Sequence, residues 1–265
     1  MPVSTPTFRD LTRSRALKVG TAFLEFDSPG VGQIAKAGGA EFAFVDMEHS
    51  GFGIDTVKRV LRYMQAADLP TMVRPPSKAY NHIARVLDIG AECLLLPMVG
   101  SAEETRIILQ YMKYAPEGER GIALGIAHDR YRPGVPAEKL AAANAMTACI
   151  PLIETRAGIE NVDEICALDG VDGLWIGHFD LSCSLGIPGQ FEHRDFRAAT
   201  RRVLAAAKKH NKCCGRMVGS VAEGLKLHRE GFDMICYSGD VFLLQAAIQA
   251  GIAGIRKGAA KRKKA

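Results

Sequence analysis

At 265 residues, with 48% hydrophobic and 24% charged side chains, the chain has enough apolar material for a full core and too little polar bias for intrinsic disorder. No apolar run reaches the roughly 18 residues of a membrane helix, and the opening MPVSTPTFRD lacks the apolar segment of a signal peptide, so a cytoplasmic location without a membrane partner is expected. The net charge of +5 belongs to the end of the chain, where RKGAAKRKKA holds six Lys or Arg and no acid. The body is therefore close to neutral, and four consecutive basic residues without interleaved aromatics do not indicate a nucleic-acid partner.

In chain order, residues 12–18 lead into a first strand, VGTAFLEF, and Ser28 with Pro29 then open a helix that ends at Gly38 and Gly39. The next strand, FAFVDM, is followed by Glu48 and His49 and by a glycine-containing turn. Apolar residues at Ile54, Val57, Val60, Leu61 and Met64 predict a helix to Ala66. TMVRP is a third strand, stopped after Arg74 by two prolines, which cannot continue a central ladder. A helix over 80–89 leads to CLLLPMV, a continuous apolar strand of the kind buried on both faces of a parallel sheet. Helix over 102–114 is followed by an irregular stretch, 115–136, long enough to suggest a functional loop.

The fifth strand, ACIPLIE, ends in Glu154. A helix over 158–168 follows, and a sixth strand, GLWIG, then delivers Asp180. A helix over 194–210, the strand CCGRM, a helix over 223–230, the strand DMICYS and a last helix over 241–250 complete the pattern. Eight strands alternating with helices predict a single-domain (β/α)8 TIM barrel over residues 1–255, with a solvated basic tail at 256–265. The seven cysteines form no C-x-x-C pair and read as reduced core residues; Cys213 and Cys214, neighbours in a strand, point to opposite faces.

In such a barrel the chemistry collects at the C-terminal ends of the strands. Asp46, Glu48, His49, Arg74, Glu154 and Asp180 would then converge on one mouth. Two carboxylates suit an oxygen-preferring divalent metal that keeps water and substrate as its other ligands. Arg74 suits a carboxylate or oxyanion, and His49, oriented by Asp46, suits proton transfer near neutral pH. The bland alternative has Glu154 and Asp180 as helix caps, His49 as a turn residue and Arg74 in a structural ion pair with one of the acids.

The segments FVDMEHSGF, TMVRPP, ECLLLPMVGSAEE, PEGERG, LIETRAGIEN and VDGLWIGHFDLSCSLG resemble those of the HpcH/HpaI family of class II, metal-dependent pyruvate-type aldolases, in outline from Val19 to Gly251. The resemblance implies that Glu154 and Asp180 hold Mg(II), Mn(II) or Co(II), and that Arg74 contacts a 2-oxo acid and its enolate. It also implies that His49 paired with Asp46 carries protons, that the N–H groups of Phe179 and Asp180 hold the substrate carboxylate, and that Arg120 lies in a loop near the entrance. The reaction implied is cleavage of a 4-hydroxy-2-oxo acid to pyruvate or a similar 2-oxo acid plus an aldehyde. Homo-oligomers, commonly hexamers, are implied too, with Val241, Phe242, Leu244, Ala247 and Ile248 of the last helix at the contact.

Two departures from the family pattern stand out. Leu152 replaces a frequent glutamine, and His178-Phe179 stands where Pro-x is usual before Asp180. His178, in a loop at the strand end, therefore restores an N–H and adds a ring that either lines the aldehyde pocket or merely packs. Two other readings remain at this point: a lyase of CoA thioesters on a related fold, and a non-catalytic barrel that binds a 2-oxo acid.

Overall fold

The computed structural model describes residues 6–262. Eight parallel strands close in sequence order: β1 (Lys18–Phe23), β2 (Phe42–Asp46), β3 (Thr71–Arg74), β4 (Cys93–Leu96), β5 (Ala148–Ile153), β6 (Gly173–Ile176), β7 (Cys213–Val218) and β8 (Met234–Gly239), with β8 paired back onto β1. Around them run α1 (Phe8–Arg13), α2 (Val31–Ala37), α3 (Ile54–Ala66), α4 (Tyr80–Asp88), α5 (Ala102–Met112), α6 (Pro136–Met146), α7 (Arg156–Glu160), α8 (Val162–Cys166), α9 (His178–Ser184), α10 (Arg194–Lys209), α11 (Val221–Glu230) and α12 (Asp240–Arg262). This is the single-domain barrel that the strand count predicts.

Because side chains alternate across each strand, the core divides into two layers. Phe42, Phe44, Met72, Leu95, Leu152, Trp175 and Cys236 fill the barrel, while Ala43, Val45, Val73, Leu94, Ile153, Ile176 and Cys214 pack outward under the helices. Cys213 falls in the inner layer and Cys214 in the outer, as neighbours in a strand must. The interior is crowded enough that two strands present glycine to an aromatic ring. A Cβ on Gly215 would lie 2.1 Å from Trp175, and one on Gly20 would lie 2.6 Å from the Phe42 ring. Phe8, carried by α1, is buried with the inner layer and meets Phe42 edge-on at 5.9 Å. The capping box of Thr7 and Asp10 sets the start of α1.

Several elements differ from the sequence reading. α1 is unpredicted, because six residues show no period. α6 is likewise unpredicted: PAEKLAAANAM is rich in alanine and carries no apolar stripe, although Pro136 opens it in the usual way. The single helix expected over 158–168 is two, α7 and α8, divided at Asn161, whose amide donates to the carbonyls of Ala157 (3.1 Å) and Gly100 (2.8 Å). The last helix does not stop at 250 but continues to Arg262, taking in the start of the basic tail; residues 263–265 lie outside the described residues. No helix among the described residues is long and apolar enough to cross a membrane.

Candidate active site

The alternation that builds the inner layer also builds the site. Phe42 and Phe44 point inward, so Asp46, two residues on, does too; Met72 sets Arg74 and Leu152 sets Glu154 by the same rule. Gly177 follows Trp175 in β6 in the same way. The top layer of the barrel thus holds Asp46, Arg74, Glu154 and Gly177, with Asp46 and Arg74 directly paired in register. Leu152 is one layer below the site, 2% exposed among apolar neighbours, so apolar packing stands where the family pattern has a polar side chain.

Arg74 and the acids of β2 form one ion-pair unit. Its Nε donates to Asp46 Oδ1 at 2.8 Å, one Nη to Asp46 Oδ2 at 2.5 Å, and the other Nη lies 3.0 Å from Glu48 Oε2. The Glu48 N–H donates to Asp46 Oδ1 at 3.0 Å, and the guanidinium stands 5.6 Å from the centre of the Phe44 ring. Burial works against its charge, but the bonds to Asp46 and the fields of Glu48 and Glu154 outweigh this and raise the Arg74 pKa. The fork leaves two of its five N–H groups for a ligand.

The opposite side of the mouth is not matched in this way. Glu154 is 2% exposed, and its Oε1 accepts from the Met98 N–H at 2.7 Å. Burial, assisted by Asp180 and Glu48 against the Met98 bond and Arg74, pushes its pKa up to about 7. A Cβ on Gly177 would lie 2.1 Å from Glu154 Oε2, so only glycine leaves that carboxylate its place. Asp180 is exposed and makes no hydrogen bond or ion pair among the described residues. It stands not at a strand end but in the first turn of α9, which begins as soon as Gly177 turns the chain out of β6.

Among the described residues no cluster of three or more His, Cys, Asp or Glu side chains is arranged to hold a metal. Glu154 and Asp180 are the carboxylates of the mouth without a side-chain partner among the described residues; were they to hold a cation, its remaining positions would fall to water and substrate.

Several predicted residues stand elsewhere than expected. The pairing of His49 with Asp46 is not formed: Asp46, fully buried, engages Arg74 and the Glu48 N–H, while His49 lies beyond the strand on the exposed rim, its Nε2 3.9 Å from Glu48. Arg120 is not at the mouth of its own barrel. It is buried against Asp88 (2.5 Å) and stacked 4.5 Å over Tyr114, because α4 and α5 end where strands begin, and the loop that carries it packs there. His178 opens a helix rather than sitting in a loop. Its half-buried ring lies 4.6 Å from Phe179 and 5.1 Å from Phe191, and burial, with Arg216 nearby, lowers its pKa to about 3, so it is neutral at physiological pH. Phe179 is 63% exposed.

Sequence reasoning passes over Met98 and Lys78. Met98 adopts a left-handed backbone (φ 53°), rare outside glycine, which aims its N–H at Glu154. Lys78 holds that turn by donating to the Met98 carbonyl at 2.6 Å while pairing with Glu104. A positive φ at methionine has no sequence signal.

A family model described as HpcH/HpaI aldolase/citrate lyase matches residues 21–247. The chain belongs to that family. It is 35% identical over 255 residues to a hydroxypyruvate/pyruvate aldolase of Paraburkholderia phytofirmans, covering 92% of this chain and 97% of that one. It is 29% identical to a 2-keto-3-deoxy-L-rhamnonate aldolase of Klebsiella pneumoniae, covering 98% and 96%. The crystal structure of an HpcH/HpaI aldolase from Desulfitobacterium hafniense superposes with a TM-score of 0.85 at 32% identity, over 91% of this chain and 93% of that one. The HpcH/HpaI member described here is accordingly a lyase of the aldolase type, and its family is in general dependent on a divalent metal.

Proposed function

We propose that this HpcH/HpaI lyase cleaves a 4-hydroxy-2-oxo acid to pyruvate or a similar 2-oxo acid plus an aldehyde, with Mg(II), Mn(II) or Co(II) bound by Glu154 and Asp180. One observation carries the reading. Four carboxylates, Asp46, Glu48, Glu154 and Asp180, share a single electrostatic neighbourhood with one guanidinium, Arg74. An anionic 2-oxo acid is repelled by that balance unless a cation joins it. Bound there, a divalent ion would supply Lewis-acid polarisation of the 2-oxo group.

The chain's own residues do the rest. Asp46 and Glu48 hold the Arg74 fork rigid, and its two remaining N–H groups meet the oxygen on C2 as negative charge develops there. The first-turn N–H groups of α9, at Phe179 and Asp180, have no partner within the helix and suit the substrate carboxylate. In cleavage, His49 accepts the proton of the 4-hydroxyl. The C3–C4 bond breaks, its electron pair forms the C2–C3 enolate, C4 leaves as the aldehyde, and a proton returned to C3 completes pyruvate. Phe179, exposed immediately before Asp180, would face the aldehyde portion, with the His178 ring packed on Phe191 supporting it.

The test is turnover by purified protein with pyruvate, hydroxypyruvate and a panel of aldehydes, before and after EDTA and after return of Mg(II), Mn(II) or Co(II). EDTA should abolish turnover reversibly, and Glu154→Ala combined with Asp180→Ala should lower kcat/KM by about a thousandfold or more. Retained activity in stripped protein would overturn the proposal. Borohydride with pyruvate should trap no adduct.

We also propose a homo-oligomer, a hexamer by family resemblance. From Phe242 to Ala260 every residue of α12 is exposed, Phe242, Leu244, Ile248 and Ile252 included. Beside it a groove of about 710 Å³, lined by Phe23, Val31, Ile34 and Leu243, is left open along β1. The last helix therefore does not cover its own barrel, and a second copy suits both surfaces. A monomer by light scattering at micromolar concentration would overturn this. Seven unpaired cysteines, six of them buried, agree with a cytoplasmic setting.

A further inference from the structure

A second cavity lies outside the barrel, between α10 and α11, and shares no carboxylate or metal-site residue with the mouth. It encloses about 910 Å³. At its floor is Arg216, an outward-facing residue of β7 that is only 4% exposed. A guanidinium buried to this degree is costly unless its donors are matched. One Nη lies 3.2 Å from Glu223 Oε1, but Nε has no partner among the described residues. Thr200, 6% exposed on the α10 wall of the same cavity, has a buried Oγ1 that is likewise without a partner.

The surroundings of Arg216 narrow the class of ligand. Its guanidinium carbon lies 5.5 Å from the centre of the Phe191 ring and 5.7 Å from that of Phe196, and the two rings, 5.4 Å apart, stand together on one side of it. A buried guanidinium with an unmatched N–H calls for a planar anionic acceptor, which a carboxylate supplies. Four Lys or Arg side chains and three carboxylates line the cavity, an excess of one cation that favours a monoanion over a phosphate dianion. Phe196, Leu204 and Leu227 supply apolar wall beyond the charged floor, enough for the body of the ligand. Phe191 also touches His178 at the start of α9, so the cavity and the Asp180 helix share one aromatic cluster.

We infer that the cavity between α10 and α11 is a second ligand site, which takes a small monocarboxylate with an apolar body, the carboxylate on Arg216 and Thr200 and the body against Phe196, Leu204 and Leu227. The site stands apart from the aldolase reaction and does not depend on it.

Isothermal titration of the full chain in EDTA, with benzoate as the probe and benzamide as its neutral counterpart, tests this. Benzoate should bind at least about tenfold more tightly than benzamide. Arg216→Gln should weaken benzoate by about tenfold or more, and Leu204→Trp, which fills the cavity without touching the charge, should block it. Saturating pyruvate should leave the titration unchanged. Absence of benzoate binding, equal binding of benzamide, competition by pyruvate, or unaltered binding in Leu204→Trp would each overturn the inference. Should Arg216→Gln fail to fold by circular dichroism, Leu204→Trp and the benzamide comparison decide it.

Discussion

The two sides of the barrel mouth handle charge in opposite ways. On the β2 and β3 side, Asp46 and Glu48 are matched within the fold by Arg74, through two bonds and a further contact of 3.0 Å or less. On the β5 and β6 side, Glu154 has one backbone donor and a pKa pushed up to about 7, and Asp180 has no partner among the described residues. A folded chain matches the charges it uses for architecture and leaves open those that await a ligand. On the function proposed above, the first side would receive the substrate's anionic oxygen and the second would take the metal.

Replacing one member on each side breaks the comparison most directly. Arg74→Met leaves the fully buried Asp46 without its partner and should destabilise the protein by about 3 kcal/mol or more in urea, as removal of half a buried pair does. Activity should fall with it. Glu154→Gln should instead leave the metal-free protein at pH 8 as stable as the parent or more so, because it removes an unmatched buried charge. Equal losses in the two variants would erase the distinction.

The pH dependence of the metal-free protein sharpens it. Glu154 has its pKa raised from 4.5 to about 7, first by burial, so across that window the folded state holds a proton that the unfolded state has released. Stability is then lost as pH rises through the window, by on the order of 3 kcal/mol between its ends. The measurement is the difference between parent and Glu154→Gln in urea at pH 4.5 and pH 8, both in EDTA. A difference that does not change with pH would contradict the raised pKa.

The smallest effects concern what flanks Asp180. Gly177→Ala should displace the Glu154 carboxylate and weaken metal binding by about tenfold while leaving the Arg74 side intact. His178→Ala keeps the backbone N–H and removes a ring that packs on Phe191, so kcat/KM for the donor should hold while the ranking of aldehydes shifts a few-fold. His178→Pro, which also removes the N–H, should raise the KM for pyruvate. If neither variant differs from the parent, the residue only packs.

Much of this is legible in the residues alone. Strand-forming runs ended by prolines, glycines and acids are enough for eight strands and a barrel, because a parallel barrel buries both faces and leaves continuous apolar signals. The positions of Asp46, Arg74 and Glu154 follow from the same ends. The helices α1 and α6 are not legible: one is too short to show a period, and the other is mostly alanine and shows no stripe. Arg120 packs away from the mouth because a loop's position depends on the elements it rejoins, not on its composition.

What the sequence determined by itself was the barrel, the strand-end positions of Asp46, Arg74 and Glu154, and the family, since each rests on local pattern and order along the chain. Tertiary structure alone decided the partners. Asp46 holds Arg74 and not His49 because register sets those two strand ends side by side. Glu154 finds its donor in a left-handed Met98 and its space beside Gly177, and Arg216 is buried beneath α10 and α11 with its Nε unmatched. Such contacts join residues tens of positions apart, and no local period encodes them; they exist only once the barrel closes.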